Sequence, residues 1–201
     1  MTIAFTGGGS GGHFYPIIAI AEAIQDLMRE KHLIEPKLYY LAPTPFDEKS
    51  LFENGITYIR TPAGKVRRYF SLRNFTDSFT TLIGTVSALF TLFRLYPDVV
   101  MSKGGYGSVP TTLAARILGI PVIIHESDAK PGRANLFAAP WAVKIAVSFE
   151  GAAKLFPEKV QKKIARTGIP IRKALMRVET EGARQYLGLE QGIPTVLILG
   201  G

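Results

Sequence analysis

The sequence contains no cysteine, which excludes a disulfide framework, a thiolate zinc site and a thiol nucleophile, and which suits a reducing compartment. Acidic residues are scarce: 16 Asp plus Glu stand against 24 Lys plus Arg, a formal net charge of +8 and a pI near 9.7. That imbalance favours an anionic partner, whether a phosphorylated ligand, a nucleic acid or an acidic membrane surface, without choosing among them. The opening residues, Met1-Thr2-Ile3-Ala4-Phe5-Thr6, lack the basic stretch and apolar core of a secretory signal, so the chain is expected to stay where it is made. Long apolar runs are also wanting. The richest, Phe79 to Tyr96, is interrupted by Thr80, Thr81, Gly84, Thr85, Ser87, Thr91 and Arg94 and barely reaches the ~18 residues of a membrane span, so it reads as a buried or membrane-surface helix.

What is present is the material of a folded protein, with 47% hydrophobic and 20% charged residues, and a disordered chain is excluded. Short apolar runs alternate with helical patterns, the sequence form of repeated βαβ units. Strands are expected at Thr2–Thr6, Lys37–Ala42, Ile56–Arg60, Asp98–Ser102, Pro121–Glu126, Val143–Phe149 and Lys163–Thr167. Helices are expected at Tyr15–Lys31, Asp47–Glu53, Leu72–Leu95, Val109–Leu118, Gly132–Ala139 and Glu150–Leu155. The fold class is therefore α/β, a doubly wound parallel sheet of Rossmann-like type whose ligands sit at the carboxyl ends of strands, in the loops after Thr6, Ser102 and Glu126. Residues 1–175 form this domain. Residues 176–201 read as a linker with a helical segment near Glu181–Leu187, followed by an apolar strand, Thr195 to Gly201, that opens into glycines. That strand either starts a second βα domain or adds to the edge of the first sheet.

The strongest motif is Thr6-Gly7-Gly8-Gly9-Ser10-Gly11-Gly12-His13, with five glycines in positions 7 to 12, between the first strand and a helix expected to begin near Tyr15. Glycines allow positive φ and close approach of a ligand, and a helix N-terminus presents free N–H groups to an anion, so this turn is expected to cradle phosphate. A dinucleotide fold would need an acidic residue at the end of the second strand, which instead reads Leu41-Ala42-Pro43-Thr44, and NAD is disfavoured. A nucleotide-hydrolase loop would need Lys where His13 stands, so ATP hydrolysis is disfavoured too. His13 is expected to serve either as a neutral proton acceptor or as a hydrogen-bond donor to phosphate. A second glycine turn, Ser102-Lys103-Gly104-Gly105-Tyr106-Gly107-Ser108, repeats the device, and a third loop, His125-Glu126-Ser127-Asp128-Ala129-Lys130, carries groups able to act as a base or to ligate hydroxyls.

Together these loops resemble the N-terminal half of the MurG family of bacterial peptidoglycan glycosyltransferases, two-domain enzymes of the GT-B group in glycosyltransferase family 28. The blocks that carry the resemblance are Gly8-Gly9-Ser10-Gly11-Gly12-His13-Phe14-Tyr15-Pro16, Gly104-Gly105-Tyr106-Gly107-Ser108-Val109-Pro110, Gly119-Ile120-Pro121-Val122-Ile123-Ile124-His125-Glu126 and Gly168-Ile169-Pro170-Ile171-Arg172. The resemblance implies transfer of N-acetylglucosamine from UDP-N-acetylglucosamine to the C4 hydroxyl of lipid I, an undecaprenyl-diphosphate-linked muramoyl peptide, with inversion at the sugar to give lipid II. It implies His13 and Glu126 as catalytic groups, and Ser10, Gly11, Gly12, Gly104, Gly105, Tyr106, Asp128 and Arg172 as substrate-binding groups. Asp128 departs from the family, which has asparagine there. No cofactor is expected, and no metal, because no Asp-x-Asp pair occurs among the aspartates. The family's donor domain would follow Gly201, and residues 1–201 alone are expected to be inactive or nearly so.

The acceptor is a membrane lipid, and one segment suits it. From Arg60 to Thr76 there are five cations, Arg60, Lys65, Arg67, Arg68 and Arg73, with no acid, and Tyr69, Phe70, Leu72 and Phe75 lie among them. Basic and aromatic groups so interleaved are expected to dock on an anionic surface, at the cytoplasmic face of the plasma membrane. Nucleic acid is not expected, since no recognised nucleic-acid-binding signature is present. A membrane-associated acceptor-binding subunit that recruits a separate donor chain is the alternative reading, and a nucleotide-sugar epimerase or dehydrogenase using a nicotinamide cofactor is a third.

Overall fold

A computed structural model describes residues 1–65, 73–176, 182–190 and 192–196. Its strands are β1 (Thr2–Thr6), β2 (Lys37–Ala42), β3 (Ile56–Arg60), β4 (Val99–Ser102), β5 (Val122–Glu126), β6 (Lys144–Val147) and β7 (Ile164–Arg166). They form one parallel sheet in the order β3-β2-β1-β4-β5-β6-β7. The helices are α1 (Gly11–Glu30), α2 (Glu48–Glu53), α3 (Arg73–Leu95), α4 (Val109–Ile117), α5 (Arg133–Ala138), α6 (Glu150–Lys154), α7 (Lys173–Met176) and α8 (Ala183–Tyr186). The doubly wound α/β sheet expected from the sequence is the fold observed. Its strand order reverses between β1 and β4, where such sheets bind ligands.

The period-2 alternation of strands explains the two layers. Ile3 and Phe5 on β1, with Leu38 and Tyr40 on β2, face Phe14, Ile17, Ile18 and Ala21 of α1 and Leu51 of α2. Ala4, Leu41, Val100, Val122, Ile124 and Ile145 face the other way, onto Ala88 and Leu92 of α3 and Ala114 and Ala115 of α4. Strands buried on both faces read as near-continuous apolar runs, which is why their positions were readable in advance.

Helix α3 fits neither a fully buried helix nor a free one. Thr85, Ala88 and Leu92 are buried, and Gly84 lies so close to the segment before Lys65 that a Cβ there would sit 1.7 Å from the Pro62 carbonyl oxygen. The opposite face bares Phe75, Phe79, Leu82, Ile83, Val86, Phe90 and Phe93, a helical spacing that lines one side. Phe75–Leu95 is long and apolar enough to cross a membrane by length and composition, yet its inner face is committed to α4 and the sheet. Of the expected docking residues, Phe75 is 77% exposed; Arg73 opens α3; and Arg67, Arg68, Tyr69, Phe70 and Leu72 lie outside the described residues. At the other end, Thr195 and Val196 belong to no described strand, and the rest of the expected terminal strand lies outside the described residues.

Candidate functional site

The first glycine turn departs from expectation in where the helix begins. Helix α1 starts at Gly11 rather than near Tyr15, so Gly11, Gly12 and His13 are its first turn and Pro16 lies inside it. Ser10 is the extended N-cap (φ −161°, ψ 162°), and its carbonyl accepts the N–H groups of His13 and Phe14 at 3.1 and 3.2 Å. The amides of Gly11 and Gly12, the first two of the helix, have no intrahelical acceptor and are the ones turned to an incoming anion. The Ser10 hydroxyl makes no cap bond to the backbone. It lies 2.9 Å from His13 Nδ1 instead.

The β1 and β4 turns pack against each other, backbone to backbone. A Cβ on Gly105 would stand 2.3 Å from the Gly8 carbonyl oxygen, and one on Gly9 would stand 2.9 Å from the Tyr106 ring. Gly9, Gly104 and Gly105 have φ of 99°, 80° and 77°, a region that L side chains occupy only under strain. Gly104 also makes room for Asn135, whose amide would be 2.8 Å from a Cβ there. His13 Cδ2 lies 3.5 Å from the position a Gly105 Cβ would take, so the imidazole stands where the two turns meet. The Tyr106 ring, half-buried, carries Lys65 Nζ 5.2 Å from its centroid.

The third loop is built from β5. Glu126 is 4% exposed, and both its oxygens are engaged: Oε1 accepts the Asp128 N–H at 2.9 Å, and Oε2 accepts the Gly132 N–H at 2.8 Å and Asn135 Nδ2 at 2.9 Å. Such a carboxylate closes its own loop, which is the geometry of a positioning group rather than of a base turned to a substrate. Asp128 is carried outward and exposed. Beneath the loops lies a cluster that sequence reasoning did not single out. Lys103 is 2% exposed, and its Nζ donates to His125 Nδ1 at 2.8 Å and to the Ser127 hydroxyl. His125, also 2% exposed, lies with Nε2 3.1 Å from the Gly168 carbonyl. A carbonyl can only accept, so the ring proton is on Nε2 and the bare Nδ1 takes the lysine.

Burial sets the electrostatics. Desolvation, then the Lys103 charge, lowers the His13 pKa against the opposing pull of Asp128 and Glu126, so the ring is neutral at pH 7. The same two causes push His125 down to about 4. Lys103 is lowered by desolvation to about 8 despite Glu126 and Asp128, and it stays protonated at neutral pH.

Arg172 lies at the rim of the first turn of α1, over a Tyr15 ring whose edge would be 3.3 Å from a Cβ on Gly11. Its guanidinium stacks on the Tyr15 ring, 3.9 Å from the centroid, on the flank of α1 beside Phe46. The chain then runs over α1, where the Lys173 N–H donates to Glu22 at 2.8 Å and Lys173 Nζ pairs with Asp26. Among the described residues no group of three His, Asp or Glu side chains could hold a metal ion.

A parallel sheet with glycine turns at its switch point and a helix N-terminus beside them defines a Rossmann-like domain. Residues 3–147 match the Glycosyltransferase family 28 N-terminal domain, and the chain belongs to that family. It is 36% identical over 208 residues to the UDP-N-acetylglucosamine--N-acetylmuramyl-(pentapeptide) pyrophosphoryl-undecaprenol N-acetylglucosamine transferase of Treponema denticola, covering 99% of this chain and 52% of that one. A protein of the same description, numbered 2, from Bacillus cereus is 38% identical over 200 residues, covering 99% and 54%. The crystal structure of Acinetobacter baumannii MurG superposes with a TM-score of 0.63 at 26% identity, covering 88% of this chain and 47% of that one. The chain thus spans about half the length of the relatives it matches.

Proposed function

We propose that residues 1–201 are the acceptor-binding half of an inverting transferase that moves N-acetylglucosamine from its UDP donor to the C4 hydroxyl of lipid I. The observation that carries this reading is the crevice itself: two unsatisfied helix amides, at Gly11 and Gly12, and a neutral His13 set against a second glycine turn, in a chain of family 28. The crevice offers N–H groups and the positive end of α1 to a diphosphate, and His13 stands partly exposed beside them. Ser10 then has a defined role. When His13 Nδ1–H donates to the Ser10 hydroxyl, Nε2 is free to accept the C4 proton as the acceptor oxygen attacks the anomeric carbon. The bond from that carbon to UDP breaks, and the configuration inverts. Glu126 acts at one remove, holding the loop that presents Asp128 toward the donor sugar.

The UDP site is assigned to a second domain beyond residues 1–201, because transfer needs donor and acceptor held together. The lipid end of the acceptor is assigned to the bare face of α3, with the basic segment before it meeting anionic headgroups at the cytoplasmic face of the membrane. The test is UDP release by the complete natural polypeptide with a lipid I analogue, wild type against His13→Ala. Loss of turnover with UDP-sugar binding retained supports the acceptor-side role of His13. Full turnover in the variant overturns it.

A further inference from the structure

The reaction as proposed leaves Lys103 unused, and a buried ammonium is costly enough to need a reason. Its side chain rises from the end of β4 directly under the first glycine turn, where a Cβ on Gly7 would lie 3.3 Å from Lys103 Cβ. It is too deeply buried to meet a ligand from solvent, and two of its three protons are already placed, on His125 and Ser127. His125 passes the constraint on: Nε2–H donates to the Gly168 carbonyl, which the Ser148 hydroxyl also contacts at 3.0 Å. One network therefore ties the ends of β4, β5 and β6 to the turn after β7.

We propose that Lys103 is a positioning residue of the crevice: its buried ammonium clamps His125 and Ser127, fixes the loop that carries Asp128, and places a positive charge beneath His13. This rests on the crevice being the reaction site, but its first test does not. The groups facing His13 are Lys103 and the Tyr106 phenol with Lys65 over its ring, from the β4 turn; Glu126 and Asp128, from the β5 loop; and, on its own helix, the uncharged Ser10. Lys103 opposes the two carboxylates and outweighs each of them. Without it desolvation alone would oppose the two carboxylates, and the His13 midpoint would move up toward the imidazolium, which cannot take a proton.

The experiment is an NMR titration of isotope-labelled chain. In the wild type, His125 should show the Nε2–H tautomer and the Lys103 amine should titrate near pH 8; a Nδ1–H tautomer or an ordinary lysine midpoint overturns the clamp. In Lys103→Met the His13 midpoint should rise by about half a pH unit or more, as expected for removal of one nearby partly screened charge, while Lys103→Arg, which keeps the charge, should restore it toward the wild-type value. An unmoved midpoint in a folded Lys103→Met overturns the proposal, and should that variant fail to fold, the wild-type tautomer decides. In the complete polypeptide, the acid limb of kcat/KM should follow His13 upward in Lys103→Met. Absence of wild-type turnover would count against the transferase reading and leave the titration result standing.

Discussion

Lowering the pH should weaken this fold most through His125, the histidine with the large resolved shift. Its folded pKa is depressed from 6.5 to about 4 by burial and by the Lys103 ammonium. A base whose folded midpoint is depressed binds fewer protons folded than unfolded. Its contribution is therefore intact above pH 6.5 and is lost as the pH falls toward 4. From pH 7 to pH 5 that linkage amounts to about 2 kcal/mol, a large part of the stability of an ordinary domain. Lys103 gives no relief, since it is protonated throughout that range and lies 2.8 Å from the nitrogen that would have to be charged. Its own lowered midpoint acts at the other end, adding stability as the pH rises from about 8 to 10.5. The assay is urea unfolding at pH 7 and pH 5 of the wild type and of His125→Gln, whose amide can still donate to Gly168 but does not titrate. The wild type should lose about 2 kcal/mol more than the variant between those pH values. Equal losses would refute the assignment of His125 as a buried neutral imidazole.

Further outcomes follow from close approaches and from the bare helix face. Gly84→Ala should destabilise by roughly 2 kcal/mol in urea unfolding, although alanine is the better helix former by ~1 kcal/mol, because the added carbon overlaps the Pro62 carbonyl. Gly105→Ala, strained by φ 77° and meeting the Gly8 carbonyl, should cost ~1–3 kcal/mol and spread the two turns, seen as weaker diphosphate binding by calorimetry. The pair Phe79→Ser and Phe90→Ser, at exposed positions, should leave the unfolding free energy within about 0.5 kcal/mol. The same pair should reduce binding to anionic phosphatidylglycerol vesicles about tenfold or more, the scale of losing two partly inserted rings.

Much of the fold is legible because parallel strands buried on both faces write themselves as short apolar runs. β1, β2 and β3 lie where Thr2–Thr6, Lys37–Ala42 and Ile56–Arg60 were expected, and the other strands are within two residues at each end. The start of α1 was misread for a local reason. Glycines at 11 and 12 are poor helix formers and Pro16 suits a first turn, but the Ser10 carbonyl gathers the His13 and Phe14 amides and starts the helix four residues earlier. The glycine turns and His13 announce themselves by composition. Lys103 does not, because its burial comes from the pairing of Thr6 with Ser102, a contact between distant segments that no local pattern carries. Glu126 shows the converse: a carboxylate at a strand end reads as chemistry until Asp128, Gly132 and Asn135 are seen to occupy both its oxygens. The face of α3 was open between two readings, and the helix divides itself between them, with Leu92 inward and Phe90 and Phe93 outward.

The central claim is that the crevice between the β1 and β4 turns receives a prenyl-linked diphosphate through the amides at the start of α1. It is tested most directly by titrating labelled chain in detergent micelles with a short-chain prenyl diphosphate, and separately with the matching prenyl alcohol, while following backbone amide resonances. Saturable shifts at Gly11, Gly12 and Gly105, produced by the diphosphate and not by the alcohol and absent in Gly105→Ala, are the predicted result. Amides at those positions that stay still while resonances elsewhere respond would contradict it.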